Sequence, residues 1–412
     1  MRGEKELHEV AEIVMGQSPK GDTYNNHGEG TPLLNGPSEF GEINPLPQKW
    51  TTDPKRFSKK DDILFCVRGS TGRMNWSDNE YCIGRGLCAI RAKSDDLIDT
   101  YYIYYSLKHN LSRLLSVGTG SVFPNLSKKD IYGFRLYWPE TSKRKFITTQ
   151  LKILDDKIEI NRQMNRTLEA MARAIFKSWF VDFDSVYAKM EGRDYPLPAE
   201  VMDLFPDELV ESELGLIPKG WEVGKVSDFG KVITGKTPST KNPDYYFKDE
   251  VPFLKIPDMH NQFFITETTN FLSKFGADSQ KNKYIPAKSI CVSCIATPGL
   301  VVMPIEKIQT NQQINSVVPK SELFSNFLLL ALKRKGDEIR IRGSGGSVLR
   351  NLNKTNFSRI QLLVPSERLI ESFEIIVTPI FEKTINNLRQ NNTLSVIRDI
   401  ILPKLMNGEI DV

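Results

Sequence analysis

Two glycine-rich stretches, 68–73 and 340–350, combine guanidinium groups with small hydroxyl side chains. Arginine supplies positive charge, and glycine-rich backbone lets N–H groups come close to a phosphate. We therefore predict that both stretches contact a phosphate-bearing partner. The side chains that could make these contacts are Arg68, Ser70, Thr71, Arg73, Arg340, Arg342, Ser347 and Arg350.

Each stretch has a counterpart in the other half of the chain. Ser121 and Lys128 lie in GTGSVFPNLSKKDI (118–131), which matches the second stretch, and Thr297 lies in the segment aligned with 68–73. Arg85 and Gln312 are 227 residues apart. Arginine and glutamine can pair with purine edges through two hydrogen bonds. Each segment alone could be a solvated loop. Recurrence favours binding but does not separate base contact from a turn that both halves need.

The recurrence extends over nearly the whole chain. Asn125 and Asn351 are 226 residues apart, Arg162 and Arg389 are 227 apart, and the segments GQSP (16–19) and GKTP (235–238) are 219 apart. The second copy has gained about eight residues between its opening turn and its centre, as altered surface loops do. Two copies are too few for a solenoid and suit a molecule with two similar binding surfaces.

Motifs for other chemistries lack the context that they require. Residues 230–237 fit the phosphate-binding pattern GxxxxGKT, but Pro238 and Pro243 follow where a helix must begin. We predict a strand that ends in a turn there. Residues 242–245, Asn-Pro-Asp-Tyr, resemble the tetrapeptide that holds the target base in amino-methyltransferases, but the second proline is absent and no glycine-rich cofactor loop follows a strand.

Cysteine and histidine usage gives no metal site. Cys291 and Cys294 have the spacing of a zinc pair, but no second pair stands near them, and structural zinc usually has four closely grouped ligands. We expect core thiols, no metal, and no disulfide framework. The four histidines are scattered, and we find no nuclease carboxylate cluster or other catalytic set.

Composition indicates two globular cores with a basic surface. The 412 residues carry a net charge of only +4, so charge alone gives weak support for nucleic-acid binding. Residues 191–213, however, hold eight acids and one arginine, which leaves each repeat basic. No segment has the roughly 18 apolar residues of a membrane span, and residues 1–10 lack a signal-peptide core. We expect a cytoplasmic protein.

Each repeat contains short apolar strands and one helix, followed by a long helical segment. We predict strands at 62–67, 87–91, 133–138, 289–295, 314–318 and 360–364, and helices at 99–115 and 323–335. The boundaries that we predict are 1–140 for the first domain, 141–184 for a central long helix, 185–218 for an acidic connector containing proline, 219–365 for the second domain and 366–412 for a second long helix.

The long segments have the seam pattern of a coiled coil. Residues 142–180 contain no Gly or Pro, and apolar or amide residues recur there at steps of three and four. We expect the two long helices to pack on each other, each about 60 Å long at about 1.5 Å per residue; ordinary bundle helices are the alternative. The predicted seam residues are Leu151, Leu154, Ile158, Asn161, Asn165, Leu168, Ile175, Phe381, Ile385, Leu388 and Asn392.

Several motifs together resemble the specificity subunits of Type I restriction-modification systems. Residues 235–246 with 251–258 resemble the opening of a target recognition domain, and IPKGW (217–221) resembles the junction before the second such domain. FKSWFVDFD (176–184) is similar to the end of the family's central helix, and ILPKLMNGEI (401–410) to its C-terminal helix end. The resemblance covers nearly the whole chain.

This resemblance implies an α/β (α+β) fold with two pseudo-symmetric DNA-recognition domains joined by two long helices in an antiparallel coiled coil. It implies a non-catalytic subunit that reads a bipartite target in double-stranded DNA. Expected partners are two methyltransferase subunits and a restriction/translocase subunit. No cofactor is expected in this chain; S-adenosylmethionine would belong to the methyltransferase subunits, and ATP and magnesium to the translocase.

Two alternatives come from other functional classes. The chain could be a self-contained DNA methyltransferase or nuclease with duplicated domains, although it lacks a cofactor loop. It could also be a coiled-coil interaction protein that does not bind DNA. A methyl-transfer assay on the isolated chain distinguishes the first alternative, and band shifts with DNA distinguish the second.

Overall fold

A computed structural model describes residues 3–94, 96–118, 124–246, 249–344 and 352–410, with the backbone alone at 337–344. The chain forms two compact units. The first unit comprises Met1–Glu159 with Asn392–Val412, and the second comprises Ile160–Asn391. The predicted domains 1–140 and 219–365 each fall within one unit, and each long helix contributes residues to both.

The first unit is built on a four-stranded antiparallel sheet. Its strand order is Ala11–Met15, Leu87–Ala92, Ile63–Cys66 and Met74–Trp76. Ile63–Cys66 is a continuous apolar run because both of its faces are covered. Ile103, Leu107 and Leu114 pack on one face of the sheet, and Leu34 and Ile83 belong to the core cluster on the other.

Smaller elements complete the first unit. A second sheet has the order Tyr24–Asn25, Lys49–Thr51, Thr31–Leu34, Tyr81–Ile83 and Phe57–Ser58, and a ribbon pairs Glu4–Glu6 with Arg135–Tyr137. The 3₁₀-helices are Gly21–Thr23 and Pro37–Glu39, and the α-helices are Leu7–Val10, Leu97–His109, Leu111–Ser116 and Lys128–Tyr132. The single helix predicted at 99–115 is therefore interrupted at Asn110, whose side-chain amide donates to the carbonyl of Ser106.

The second unit repeats the arrangement. Its main sheet has the order Gly230–Thr234, Ile314–Pro319, Ile290–Ser293, Val301–Pro304 and Phe264–Ile265, so its first four strands follow the order of the first unit. A ribbon again pairs the opening strand, Glu222–Lys225, with the closing strand, Gln361–Val364. The predicted strands in both halves are confirmed to within two residues at each end.

The rest of the second unit surrounds this sheet. A three-stranded sheet has the order Phe271–Leu272, Val251–Leu254 and Gln309–Thr310, and the acidic connector holds the hairpin Leu209–Ser212 with Gly215–Pro218. The 3₁₀-helices are Pro243–Tyr245, Ile256–Met259, Lys281–Lys283 and Glu322–Phe324. The α-helices are Asp184–Met190, Ala199–Met202, Val226–Phe229, Lys274–Asp278, Ser325–Ser344 and Lys354–Ser358. The helix predicted at 323–335 thus extends to Ser344.

The two long helices are confirmed, and they pack antiparallel. They span Thr141–Phe180 and Glu367–Met406. In the first unit, Arg398 Nη1 donates to Asp155 Oδ1 over 2.7 Å, and Ile147 and Leu151 share a cluster with Leu402 and Leu405. In the second unit, Phe176 packs on Phe373 with ring centroids 6.0 Å apart. Later residues of the first helix therefore meet earlier residues of the second.

Buried amides line the helix seam in the second unit. Asn161 Nδ2 donates to Asn391 Oδ1 over 2.8 Å, and Asn387 Nδ2 donates to Asn165 Oδ1 over the same distance. Asn165 Nδ2 also donates to the carbonyl of Thr384 over 3.3 Å. The four asparagine side chains and Thr384 are at most 8% exposed. We call the four asparagines the amide ladder.

The predicted seam residues are buried or half-buried on both long helices, and at one position the prediction names Asn392 where its neighbour Asn391 is the buried residue. Leu151, Ile158, Asn161 and Asn165 are buried, with Leu154, Leu168 and Ile175 half-buried. On the second helix Phe381 is buried, and Ile385 and Leu388 are half-buried against the core cluster that contains Phe381, as Ile175 is. Asn392 is half-buried. The buried residues Thr384, Asn387 and Asn391 provide the hydrogen-bond partners of Asn161 Nδ2 and of both polar atoms of the Asn165 amide.

Within the described residues, no helix is both long enough and apolar enough to cross a membrane.

Candidate nucleic-acid interface

One edge of the main sheet in the first unit gathers three of the predicted segments. The antiparallel order brings together the end of Ile63–Cys66, the end of Ala11–Met15 and the start of Leu87–Ala92. Val67 N–H donates to the carbonyl of Gly86 over 2.9 Å, and Val67 accepts from Leu126 N–H over 3.0 Å. Gly16 N–H donates to Leu87 over 2.9 Å. We call this edge, with turn 67–73, the first sheet edge.

Exposed arginines surround the first sheet edge. Arg68, Arg73 and Arg85 are exposed, while Ser70 and Thr71 are half-buried. Thr71 Oγ1 donates to the carbonyl of Pro124 over 2.5 Å. This bond ties turn 67–73 to the segment that precedes Leu126. The structure therefore brings these five predicted residues to one edge, where three guanidinium groups face solvent.

The same hydrogen bonds recur in the second unit. Cys294 N–H donates to the backbone carbonyl of Gln313 over 2.8 Å, and the carbonyl of Cys294 accepts from Leu352 N–H over 3.0 Å. Gly235 N–H donates to the carbonyl of Ile314 over 3.0 Å. Cys294, Gln313 and Ile314 lie 227 residues after Val67, Gly86 and Leu87. We call this edge, with turn 294–300, the second sheet edge. The duplication thus preserves the backbone of the candidate interface bond by bond.

The two turns also share their unusual backbone angles. Gly69 has φ 83° and Ala296, its equivalent, has φ 65°; Gly72 and Gly299 both have φ 93°. All four residues are in the left-handed region, which costs a non-glycine residue energy and is often found at functional sites. The left-handed alanine is therefore held in place by the turn around it.

Side chains on this shared backbone differ between the halves. In the second unit the positions equivalent to Arg68 and Arg73 hold Ile295 and Leu300. The position equivalent to Arg85 holds Gln312. Gln312 is exposed, and its Oε1 accepts a 2.6 Å hydrogen bond from Thr237 Oγ1. Thr297 is exposed on the second sheet edge. At these three positions one backbone arrangement therefore carries guanidinium groups in the first unit and two apolar side chains and an amide in the second.

The remaining predicted residues divide into three groups. Lys128 is exposed at the start of Lys128–Tyr132, with Nζ 4.8 Å from the centroid of the Tyr132 ring. Arg340 and Arg342 were predicted in a glycine-rich loop, and this is wrong, because the helix Ser325–Ser344 includes them. Outside the described residues lie Ser121, Ser347 and Arg350.

Sequence reasoning missed the residues that hold Arg85 and Gln312 in place. Ser18 Oγ accepts from Arg85 N–H over 3.2 Å, and Thr237 holds Gln312. Both belong to the recurring GQSP and GKTP segments, so the repeat itself was the available signal. The second of these segments follows the strand Gly230–Thr234 and begins no helix, which confirms the interpretation of the false phosphate-binding motif.

Cysteines near the sheet edges are structural. All five are buried free thiols. Burial raises the pKa of Cys66 and of Cys291 to about 12, and that of Cys294 to about 11. Thiols with such pKa values remain protonated and are poor nucleophiles and metal ligands. Across the described ranges, no group of three or more His, Cys, Asp or Glu side chains could hold a metal ion.

Comparison with known proteins identifies the family. A model of the Type I restriction modification DNA specificity domain matches residues 3–170 and 218–388. The chain is 38% identical over 420 aligned positions to the specificity subunit of the Type I restriction enzyme HindI from Haemophilus influenzae, with 90% of each chain covered. It is 26% identical to the MjaIX specificity subunit from Methanocaldococcus jannaschii over 87% of this chain and 79% of that one.

A solved structure shows the same fold. The S subunit of a Type I restriction-modification system from M. genitalium matches 98% of this chain and 95% of its own, with a TM-score of 0.58 and 16% identity. The two matched segments and the 38% identical relative carry the assignment. This chain belongs to the family of Type I restriction-modification specificity subunits.

Proposed function

We propose that the chain reads a DNA target in two parts, one at each sheet edge. The observation that carries this proposal is the matched set of backbone hydrogen bonds at Val67 and Cys294. Around these matching bonds the two units carry different side chains. Base pairs are distinguished by the donors and acceptors that side chains offer to their edges. A common backbone with different side chains therefore suits two different half-sites.

The first sheet edge suits phosphate and guanine contacts. Arg68, Arg73 and Arg85 are exposed, and guanidinium groups bind phosphate oxygens or the O6 and N7 atoms of guanine. Lys128 adds a further exposed positive charge near Leu126. A salt-dependent affinity is the expected consequence, because each phosphate contact releases counterions.

The second sheet edge suits a more neutral contact. Thr237 engages the amide oxygen of Gln312, so the amide NH₂ of Gln312 can donate to a base acceptor. Thr297 offers a hydroxyl on the neighbouring turn, and Ile295 is 38% exposed. An amide, a hydroxyl and an apolar side chain can contact adenine and the methyl group of thymine.

The long helices would limit the spacing of the two half-sites. Each has 40 residues, which corresponds to roughly 60 Å of helix. Half-sites one turn of DNA apart are separated by about 34–36 Å. Helices of this length are sufficient to hold two recognition domains at such a distance.

Exposed apolar side chains on the long helices would dock partner subunits. In the first unit Phe146, Ile153, Val396, Ile397 and Ile400 are 37–58% exposed. The second unit has Ile160, Met164, Met171 and Ile375, which are 37–74% exposed. Apolar side chains on a solvent-facing helix mark sites of protein contact when they cluster. One such surface in each unit fits two methyltransferase subunits.

The cofactors would belong to these partners. We infer that methyltransferase subunits supply S-adenosylmethionine and that a restriction/translocase subunit supplies ATP and magnesium sites. The buried, protonated thiols of this chain support that division, since they offer no nucleophile at either sheet edge.

Methylation mapping tests the proposal. The chain would be co-expressed with the methyltransferase subunits of its own system, and methylated positions would be sequenced across the host DNA. We expect one split target with two constant halves and a spacer of constant length. A contiguous target, or methyl transfer by the isolated chain, would contradict the proposal. The isolated chain with S-adenosylmethionine and the same DNA is the matched control.

A further inference from the structure

In each unit one helix of the recognition domain begins against a long helix. Asp99 lies in the first turn of Leu97–His109, and Asn326 lies in the first turn of Ser325–Ser344. These two residues are 227 apart and therefore occupy equivalent positions in the repeats. Each makes a polar contact with the long helix of its own unit, and we call these two contacts the first and the second joint. The two joints differ in chemistry.

The first joint is a buried ion pair between Asp99 and Arg144 of the first long helix. Arg144 Nε donates to Asp99 Oδ1 over 2.7 Å, and Nη2 donates to Oδ2 over 3.1 Å. Nη1 donates to the carbonyl of Pro139 over 2.6 Å, and the guanidinium lies 4.3 Å from the Trp138 ring centroid. Arg144 is 7% exposed and Asp99 is 4% exposed. The domain supplies the anion and the long helix supplies the cation.

The second joint has the acid on the other partner. Glu374 of the second long helix accepts from Asn326 Nδ2 over 2.6 Å and from the backbone N–H of Phe327 over 3.1 Å. Thr378 Oγ1 donates to the same carboxylate over 3.2 Å. Here the domain supplies only neutral donors, at the start of a helix where free N–H groups favour an anion.

We propose that the two joints match each recognition domain to its own long helix, so that Asp99 or Asn326 determines which long helix a domain can pack against. An aspartate at position 326 would face the Glu374 carboxylate, since the Asn326 side chain lies within hydrogen-bond distance of it. An asparagine at position 99 would leave the buried guanidinium of Arg144 without its counter-ion. Like charges in contact and unpaired buried charges are both strongly unfavourable. A domain placed at the wrong position would meet one of these two conditions.

Exchanging the single residue reproduces the mismatch without moving a domain. In the full chain, Asn326→Asp gives the second domain the residue of the first. Hydrogen–deuterium exchange would be measured at pH 8 for peptides covering residues 322–332 and 370–378. We expect exchange to increase about tenfold or more in both peptides, because the joint opens locally. Asn326→Asp combined with Glu374→Gln should restore slow exchange, since the amide introduced on the long helix can donate to the carboxylate introduced on the domain.

One control, a matching substitution in the first unit and two contradictory outcomes complete the test. Asn282→Asp adds the same charge at an exposed position of the second unit and should leave both peptides unchanged. Asp99→Asn should increase exchange in residues 97–105 of the first unit. Wild-type exchange in Asn326→Asp would overturn the proposal. So would equal loss of protection in the single and double variants, because that result would mean position 326 matters only for packing.

Discussion

Ala296 adopts the left-handed backbone conformation of Gly69, the residue 227 positions before it, with φ of 65° and 83° respectively. Both residues are at the same point of equivalent turns on the two sheet edges. An alanine in this region carries strain that a glycine avoids. The turn geometry is therefore kept in both halves even where the sequence does not favour it.

Substitutions at these turns should separate strain from steric clash. Gly69→Ala has open space for its Cβ and should cost about 1 kcal/mol from backbone strain alone. Gly299→Ala should cost more, about 2–4 kcal/mol, because its Cβ would lie 2.4 Å from the carbonyl oxygen of Gly336. Ala296→Gly should be neutral or stabilising. Urea unfolding measures all three; Gly28→Ala, also left-handed and open, is the control. Equal costs at Gly69 and Gly299 would contradict the close packing of the second turn.

The arginines of the first sheet edge should contribute to the salt dependence of DNA binding. Replacing Arg68, Arg73 and Arg85 with Ala should lower the slope of log K against log salt by about 0.9 for each phosphate that is no longer bound. Band shifts of the complex with methyltransferase subunits, at several salt concentrations, would measure this slope. Arg359→Ala, a removal of one charge elsewhere on the second unit, is the control. An unchanged slope in a folded triple variant would show that the arginines do not touch phosphate.

Glu374 should make stability depend on pH. Burial raises the pKa of this carboxyl from its ordinary value of 4.5 to about 7, against the lowering effect of hydrogen bonds from Phe327, Asn326 and Thr378. Between these pH values the folded chain holds a proton that the unfolded chain has released, so stability falls as pH rises from about 4.5 to about 7. Glu374→Gln should remove this contribution.

The expected readout is the stability difference between Glu374→Gln and wild type, measured by urea unfolding at pH 5, 6, 7 and 8. This stability difference should shift in favour of the variant as pH rises. The shift should be at most about 1.4 kcal/mol for each unit by which the pKa of Glu374 in the folded chain exceeds its ordinary value. Most of the change should occur below about pH 7. A difference that is constant with pH would show that the carboxyl titrates normally.

The side chains of the amide ladder should contribute to the free energy of unfolding as coupled pairs and not as independent residues. Asn165→Ala should cost about 1–3 kcal/mol, because it leaves the buried amide of Asn387 without its acceptor. Leucine at both positions should recover most of that loss, since an apolar pair needs no hydrogen bonds. A double-mutant cycle by urea unfolding measures the coupling, with exposed Asn386→Ala as control. Additive effects of Asn165→Ala and Asn387→Ala would contradict a direct bond between Asn165 and Asn387.

Much of the fold could be predicted from local sequence. Apolar runs such as 62–67 and 289–295 predicted buried strands, because such segments satisfy a sheet covered on both faces. The long helices followed from the absence of Gly and Pro in 142–180 and from a periodic seam. The repeat then indicated which turns correspond, and the matching hydrogen bonds at Val67 and Cys294 confirm that correspondence.

The incorrect and missing predictions concern features that depend on contacts between residues far apart in the sequence or on where a helix ends. Asn391 and Asn392 are identical neighbours, so only the contact with Asn161 shows which one is buried. The stretch 340–344 reads as a loop because of Gly343, yet the helix that starts at Ser325 continues through it. The joints of Asp99 with Arg144 and Asn326 with Glu374 depend on residues about 45–48 positions apart, which no local pattern connects.

The most direct test of the central claim is to exchange one recognition domain and map methylation. Residues 1–140 would be replaced by the corresponding domain of another family member, keeping Asp99 or its equivalent opposite Arg144, and the complex would be expressed with the same methyltransferase subunits. Because each unit has its own core and its own sheet edge, we expect one half of the methylated target to change while the other half stays constant. A target in which both halves change, or neither does, would contradict the account.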